Sequence, residues 1–310
     1  MAGYVVAFLV FPGFLFTVLV GLFSSWVDRK VTARVQWRVG PPLPQPLYDF
    51  VKLLGKETLV PTTASRAVFL AAPIVGLAAV TLVSTILWLA NLWNLSFVGD
   101  LIVVVYLLVL PSLALMIGGM ASGNPLAAVG SSREMKLILG YELPFLLCLA
   151  AVILKSGGSL RLVEIASVPA AASISGAAAA VVALLCVQAK LGFTPFDIAE
   201  AETEIMSGPY VEYSGVALAV FKLTQAMMLF TLPVFLITVF LGGIRFSGWG
   251  IAWAAVKYVA ILVLLIVIKN TNPRVRIDQA VRFFWFTLTP IAFVALLLAV
   301  VGRTVGLSWL

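Results

Sequence analysis

The sequence predicts an all-α, polytopic integral membrane protein, and three observations predict it. The chain of 310 residues is 62% hydrophobic and only 11% charged, where a soluble domain carries about 25% charged residues. Its mean hydropathy is +1.13. Apolar stretches of the length a bilayer-crossing helix needs, about 20 residues, recur eight times, roughly at 3–26, 67–91, 99–121, 137–155, 172–190, 214–241, 251–268 and 283–302. No segment alternates with the period of a strand, and no internal repeat stands out.

The first stretch has no basic residue ahead of it, and Asp28, Arg29 and Lys30 follow it, so it reads as an uncleaved first helix with its N-terminus outside. Segments 27–66, 122–136, 191–213 and 269–282 then become the cytoplasmic loops of a single membrane domain, 1–310. They hold most of the Lys and Arg, whereas the external segments hold Lys155, Arg161, Arg245 and Arg303. The net charge of +7 therefore points to the lipid bilayer and its acidic headgroups, not to nucleic acid. Cys148 and Cys186 both lie in apolar stretches, no CxxC occurs, and there is no histidine. Thiolate-held iron–sulfur clusters, haem-type axial histidines, histidine zinc sites and histidine relays are excluded. No cofactor and no metal is expected in this chain.

In the first loop, Gly40-Pro-Pro-Leu-Pro-Gln-Pro46 cannot continue a helix. After it, Leu47, Phe50, Val51 and Leu54 recur at i, i+3, i+4 and i+7, while Asp49, Lys52 and Lys56 take another face. This predicts a short amphipathic helix along the membrane surface, either a lipid anchor or a lid that packs on a partner.

The polar centre of the sequence is Thr194-Pro-Phe-Asp-Ile-Ala-Glu-Ala-Glu-Thr-Glu204 with Glu212: five of the thirteen carboxylates lie within sixteen residues. Thr194 as cap, Pro195 at the first helical position and the stop Gly208-Pro209 predict a helix of about three turns from Pro195 to Ser207. Capping is one reading of Asp197, and a functional acid like its neighbours is the other. In such a helix Glu200 and Glu204 share a face with no internal Lys or Arg, and mutual repulsion raises the pKa of at least one. A carboxyl of that kind can carry a proton or answer a charge in a neighbouring subunit; a solvated acidic face is the alternative. Glu142, Lys222 and Lys257 are ionisable groups well inside the apolar stretches, away from their last residues. Each must face the interior, pair or line water, because exposure to lipid costs about 2.5–3.5 kcal/mol or more. Lys222 is a counter-charge for Glu142 or for an acid of another subunit, and Lys257 either does the same or snorkels.

Several of these motifs resemble one family. Asp28-Arg-Lys, Ala33-Arg-Val-Gln-Trp-Arg-Val-Gly-Pro41 and Gln45-Pro-Leu-Tyr-Asp-Phe-Val-Lys-Leu-Leu-Gly-Lys-Glu57 are similar to the first cytoplasmic loop of complex I subunit 1, the H subunit. Pro195–Glu204, Glu212-Tyr-Ser-Gly215 and the run from Ser132-Arg-Glu to Tyr141-Glu142 resemble its acidic loop and fourth-helix motif. The short 40–46 turn looks more like the membrane-anchor subunit of group 4 energy-converting [NiFe]-hydrogenases and their sulfane-reductase relatives. Gln225 departs from the complex I pattern, which has a glutamate there, and Lys222 is unusual against it.

The resemblance implies a non-catalytic membrane subunit of an ion-translocating oxidoreductase in the plasma membrane of a bacterium or archaeon. Its implied partners are a hydrogenase-like large subunit and an iron–sulfur small subunit, with antiporter-like and small membrane subunits beside it. Iron–sulfur clusters and a NiFe centre would belong to those partners, and ferredoxin would supply electrons. Glu142, Asp197, Glu200, Glu202, Glu204, Glu212 and Lys222 are the implied proton-coupling residues. Arg34, Arg38, Asp49, Lys52, Lys56 and Glu57 are the implied interface to the peripheral arm. The alternatives are the quinone-site subunit of a true NADH:quinone oxidoreductase and, more remotely, a stand-alone secondary ion transporter.

Overall fold

The computed structural model describes every residue except Met1, Ser247, Ser308 and Leu310, and every side chain except those four and Ala2, Gly3, Tyr4, Glu202 and Thr203. The described residues are helical or irregular, with no strand among them. Helices α1 (Ala2–Leu9) and α2 (Phe14–Val35) make one span, broken around Pro12, which has no N–H to give. The amphipathic α3 (Gln45–Leu54) follows, then the spans α4 (Arg66–Trp93), α5 (Asp100–Ala121) and α6 (Pro125–Lys155). Short α7 (Leu162–Ser167) leads into α8 (Ile174–Lys190), and the one-turn α9 (Glu202–Ile205) lies in the acidic loop. The last spans are α10 (Gly215–Phe240), α11 (Gly250–Thr271) and the run α12 (Ile277–Arg282), a π-helical turn Phe283–Leu288 and α13 (Thr289–Val305). Among the described residues seven helices are long and apolar enough to cross a bilayer, and residues Leu162–Ala172 with α8 meet the same test only as a pair, bent by 105° at the break between them.

Helix α10 is the axis of the bundle. Its apolar residues run all round it and nearly all are buried, because α2, α4, α8 and α11 pack on it. Small residues set the spacing. A Cβ on Gly21 of α2 would stand 2.7 Å from the Ala226 carbonyl oxygen of α10, so these two backbones nearly touch. The same device docks the acidic loop. A Cβ on Gly130 of α6 would lie 2.7 Å from Pro209 and 2.8 Å from Gly208.

Three expectations are corrected. The predicted Pro195–Ser207 helix is absent; 195–201 is an irregular segment followed by the single turn α9. Tertiary contacts outweigh the local helix signal there. Phe196, Ile198, Ala199 and Ala201 are all buried, and Phe196 packs on Phe283 and Phe284 with ring centroids 6.0 and 4.8 Å away. Backbone groups find partners outside the segment: Val275 N–H donates to the Pro195 carbonyl at 3.1 Å. The loop expected at 122–136 shrinks, because α6 starts at Pro125 with the Asn124 side chain accepting from Leu126 N–H at 2.8 Å. Similarly, α2 runs on to Val35 and α12 starts at Ile277, so much of the charge assigned to loops stands on helices.

Candidate functional site

The site grows from charged side chains that the bundle forces together at one end. Lys190 closes α8 with its side chain only 1% exposed, and it pairs with Glu142 of α6. The ammonium also sits over the rings of Tyr141 and Phe145, at 4.7 and 4.8 Å. A charge so placed is tolerated only with a partner, since an unpaired one in an apolar interior costs several kcal/mol. Two turns earlier on α6, Glu134 is buried, with the Ser112 hydroxyl, Lys190 and Glu200 as its polar surroundings. Ser112, Glu134, Lys190, Glu200, Tyr210 and Gln225 line a cavity of about 50 Å³, room for a few waters at ~10–15 Å³ each.

Outside it lies a chamber of about 450 Å³ between α2, α3, α10 and the acidic loop. Asp197, Glu200, Gln225 and Gly192 border both spaces. Glu200, Tyr210 and Lys222 also border a third cavity, of about 520 Å³, that reaches Asn124. Glu200 is thus common to all three.

The charges around the chamber are paired between elements. Arg274 holds Asp197 at 2.6 Å, Lys269 holds Asp28 at 2.8 Å, and Arg29 holds Asp49 at 2.5 Å. Lys269 also lies over the Phe193 ring at 4.2 Å. Lys222 meets Glu200 at 3.8 Å and Tyr210 at 4.5 Å from its ring centre. The Arg29 hydrogen bond holds the Asp49 carboxyl below its ordinary value, against the opposing effect of burial. Burial, then the negative charge of Glu200, pushes the Tyr210 phenol well above its ordinary value, so it stays protonated.

The predicted residues therefore disperse among distinct partners. Glu204 turns to Arg133 at 2.6 Å, and Glu212 accepts from the Asn124 amide at 2.5 Å. The shared Glu200–Glu204 helix face does not exist, because there is no helix and each acid has its own cation. Lys222 serves Glu200 rather than Glu142, whose partner is Lys190. The Glu202 side chain lies outside the described residues. Lys257 is partly buried, and its ammonium donates to the Leu241 carbonyl at 2.6 Å, at the C-terminal end of α10. In the first loop Arg34, Arg38, Lys52, Lys56 and Glu57 are exposed, as are Trp37 and Val39 beside them. On α3, Phe50 and Leu53 line the chamber while Leu47, Val51 and Leu54 remain exposed, so the helix both covers the chamber and keeps a free apolar edge.

Sequence reading missed Glu134, Lys190, Arg133, Arg274 and the Asp28–Lys269 pair. Asn124-Pro125 was the available signal for the first of these: it starts α6 early and places Glu134 and Glu142 at i and i+8 on the same helix. Nothing local marks Lys190, a lysine at the end of an apolar helix. Among the described residues no group of three or more His, Cys, Asp or Glu is placed to hold a metal ion.

Residues 7–300 match the family model described as NADH dehydrogenase. The chain belongs to the family of the first, or H, subunit of NADH dehydrogenase. Within that family it is 33% identical over 291 residues to the H subunit of the NADH-quinone oxidoreductase of Geobacillus kaustophilus, covering 89% of this chain and 87% of that one. The corresponding H subunit of Thermomicrobium roseum is 33% identical over 326 residues, with 95% of each chain covered. A chain of the membrane-bound sulfane sulfur reductase, an archaeal respiratory membrane complex, superposes with a TM-score of 0.86 at 30% identity, covering 96% of this chain and 100% of that one. The family member described here is accordingly a multi-pass membrane protein.

Two predictions follow from the pairing. Lys190→Met leaves Glu142 without its cation and should cost about 3–5 kcal/mol, read as a fall in Tm of the detergent-purified complex. Adding Glu142→Gln should recover most of that loss, and an additive double variant would contradict the pairing. The folded Asp49 carboxyl is held below its ordinary value. Its contribution is therefore fully present above about pH 3.9 and is lost as pH falls through the lower folded value. The pair is half-exposed, so it is worth only about 0.2–1 kcal/mol. Hydrogen exchange of α3 should rise across that acid window, and Arg29→Ala should produce the same rise at neutral pH. Unchanged exchange in Arg29→Ala would show that the pair does not hold α3.

Proposed function

We propose that this chain is the membrane anchor and coupling subunit of a multisubunit respiratory redox complex in the plasma membrane of a bacterium or archaeon. It links electron transfer in a peripheral arm to translocation of H⁺ or Na⁺ through neighbouring membrane subunits. The observation that carries the reading is Glu200. It borders all three cavities, meets Lys222 at 3.8 Å, and is among the charges that act on buried Glu134. A charge change on the arm side of the chamber is felt at Glu200, and from there at Glu134 and the Lys190–Glu142 pair. Water in the inner cavity supplies the proton path. The acidic end faces the cytoplasm, the N-terminus lies outside, and the exposed first loop with Arg34, Arg38, Lys52 and Lys56 receives the arm.

The similarity to a chain of an archaeal respiratory membrane complex supports membership of a multisubunit assembly; the arm proposed for it, on the motif resemblance, is a hydrogenase-like large subunit with an iron–sulfur small subunit. Those subunits carry the clusters and any NiFe centre, with ferredoxin as electron source and antiporter-like subunits alongside. A second reading, the quinone-site subunit of an NADH:quinone oxidoreductase, is favoured by the 450 Å³ chamber and by the NADH-quinone oxidoreductase relatives. Reduction of a quinone analogue by the purified complex, sensitive to quinone-site inhibitors, would favour that second reading.

The test is coupled transport in vesicles. Glu200→Gln and Glu134→Gln should leave the complex assembled and its arm reducing its acceptor, while ion uptake falls to the level of uncoupled vesicles. Wild-type pumping in both variants would sink the proposal.

A further inference from the structure

At the end of the bundle away from the acidic loop, the C-terminal ends of α6 and α13 and the segment 168–173 that leads into α8 enclose a pocket of about 400 Å³. Leu154, Val168, Pro169, Ala299 and Leu307 form apolar wall, and Lys155 and Arg303 are its charged residues. No carboxylate lines it among the described residues, and neither cation is in an ion pair with them. Each cation is instead steadied by a neutral oxygen of another element. Lys155 donates to the Ser173 hydroxyl at 2.5 Å, at the bend before α8, and Arg303 donates to the Gly157 carbonyl at 3.2 Å. An ammonium has three N–H donors and a guanidinium about five, so both keep donors for an anion.

The surroundings say which anion. Val301 and Val305 of α13 and Ile174 of α8 are exposed apolar residues adjoining the lining residues Gly302, Gly306 and Ser173, and α13 belongs to a run long and apolar enough to cross a bilayer. A small free ion would meet a mostly apolar wall, whereas acyl chains match it. We propose that this pocket binds an anionic phospholipid, with Lys155 and Arg303 on its phosphate and its acyl chains along α13. Charge-assisted hydrogen bonds from two neighbouring cations suit a phosphate, and basic pockets between spanning helices hold anionic headgroups in this way in the cytoplasmic leaflet. The lipid would clamp the three elements whose other ends carry Glu134 and Glu142, Lys190, and the π-helical turn against Phe196. If the cations only complement the C-terminal ends of α6 and α13, no lipid is held.

Native mass spectrometry of the complex in mild detergent distinguishes these cases. Wild type should retain one more anionic phospholipid than the Lys155→Gln/Arg303→Gln double variant. Lys155→Arg/Arg303→Lys should retain it, and so should the control Lys257→Gln, whose cation lies at the same end outside the pocket. Equal lipid in wild type and the Gln double variant overturns the proposal. A second arm needs no variant to assemble. Short-chain phosphatidylglycerol should raise the Tm of delipidated wild-type complex, and inorganic phosphate should not. An equal rise with phosphate makes this a simple anion site and overturns the lipid assignment; no rise with either overturns the site.

Discussion

The polar end of this molecule depends on one constraint: a charge inside an apolar bundle must meet an opposite charge. The Lys190–Glu142 pair satisfies it between α8 and α6, with both side chains largely withdrawn from solvent. The other pairs extend the same rule outward. Arg133 reaches from α6 to Glu204, Arg274 from the segment before α12 to Asp197, and Lys269 from α11 to Asp28 on α2. Each joins elements distant in sequence, so the ion pairs fix the acidic loop where local helix propensity does not. Small residues complete the arrangement, since Gly130 admits Pro209 against α6.

The pairs are unequal, and the inequality bears on function. Arg274–Asp197 and Arg133–Glu204 are close contacts at 2.6 Å. Lys222–Glu200 is longer, at 3.8 Å, and the Lys222 side chain is 46% exposed. A loose, partly solvated pair is the one that a change in charge nearby can open. Glu200 belongs to that pair, and it stands between the chamber and the inner cavity that holds Glu134. In the proposed coupling, the tight pairs hold the frame and the loose one responds. Gln225 borders the same two spaces as a neutral amide, so it can pass a hydrogen bond but not hold an exchangeable charge.

Much of the fold was legible in the sequence, because bilayer thickness and backbone hydrogen bonding leave few options for long apolar stretches. Helix α3 was legible for the same kind of reason: its apolar residues recur at helical spacing after a proline run. The acidic segment misled because Thr194, Pro195 and Gly208 are local signals, whereas its conformation is set by burial of Phe196 and Ile198 and by cations from other elements. The acids themselves were visible as an anomaly in an apolar chain. Their partners were not, since Lys190 and Arg274 stand far away in sequence and carry no local mark. Glu134 falls in a loop on the hydropathy pattern alone, and Asn124-Pro125 is the local signal that moves it onto α6.

In the proposed coupling, electron transfer in the peripheral arm changes the charge state of buried Glu134, on which Glu200 acts. Redox-difference infrared spectroscopy of the purified complex tests it most directly. Such coupling gives a carboxyl stretching change on reduction that disappears in Glu134→Gln and shifts in Glu200→Gln. A difference spectrum identical in wild type and both variants would contradict it.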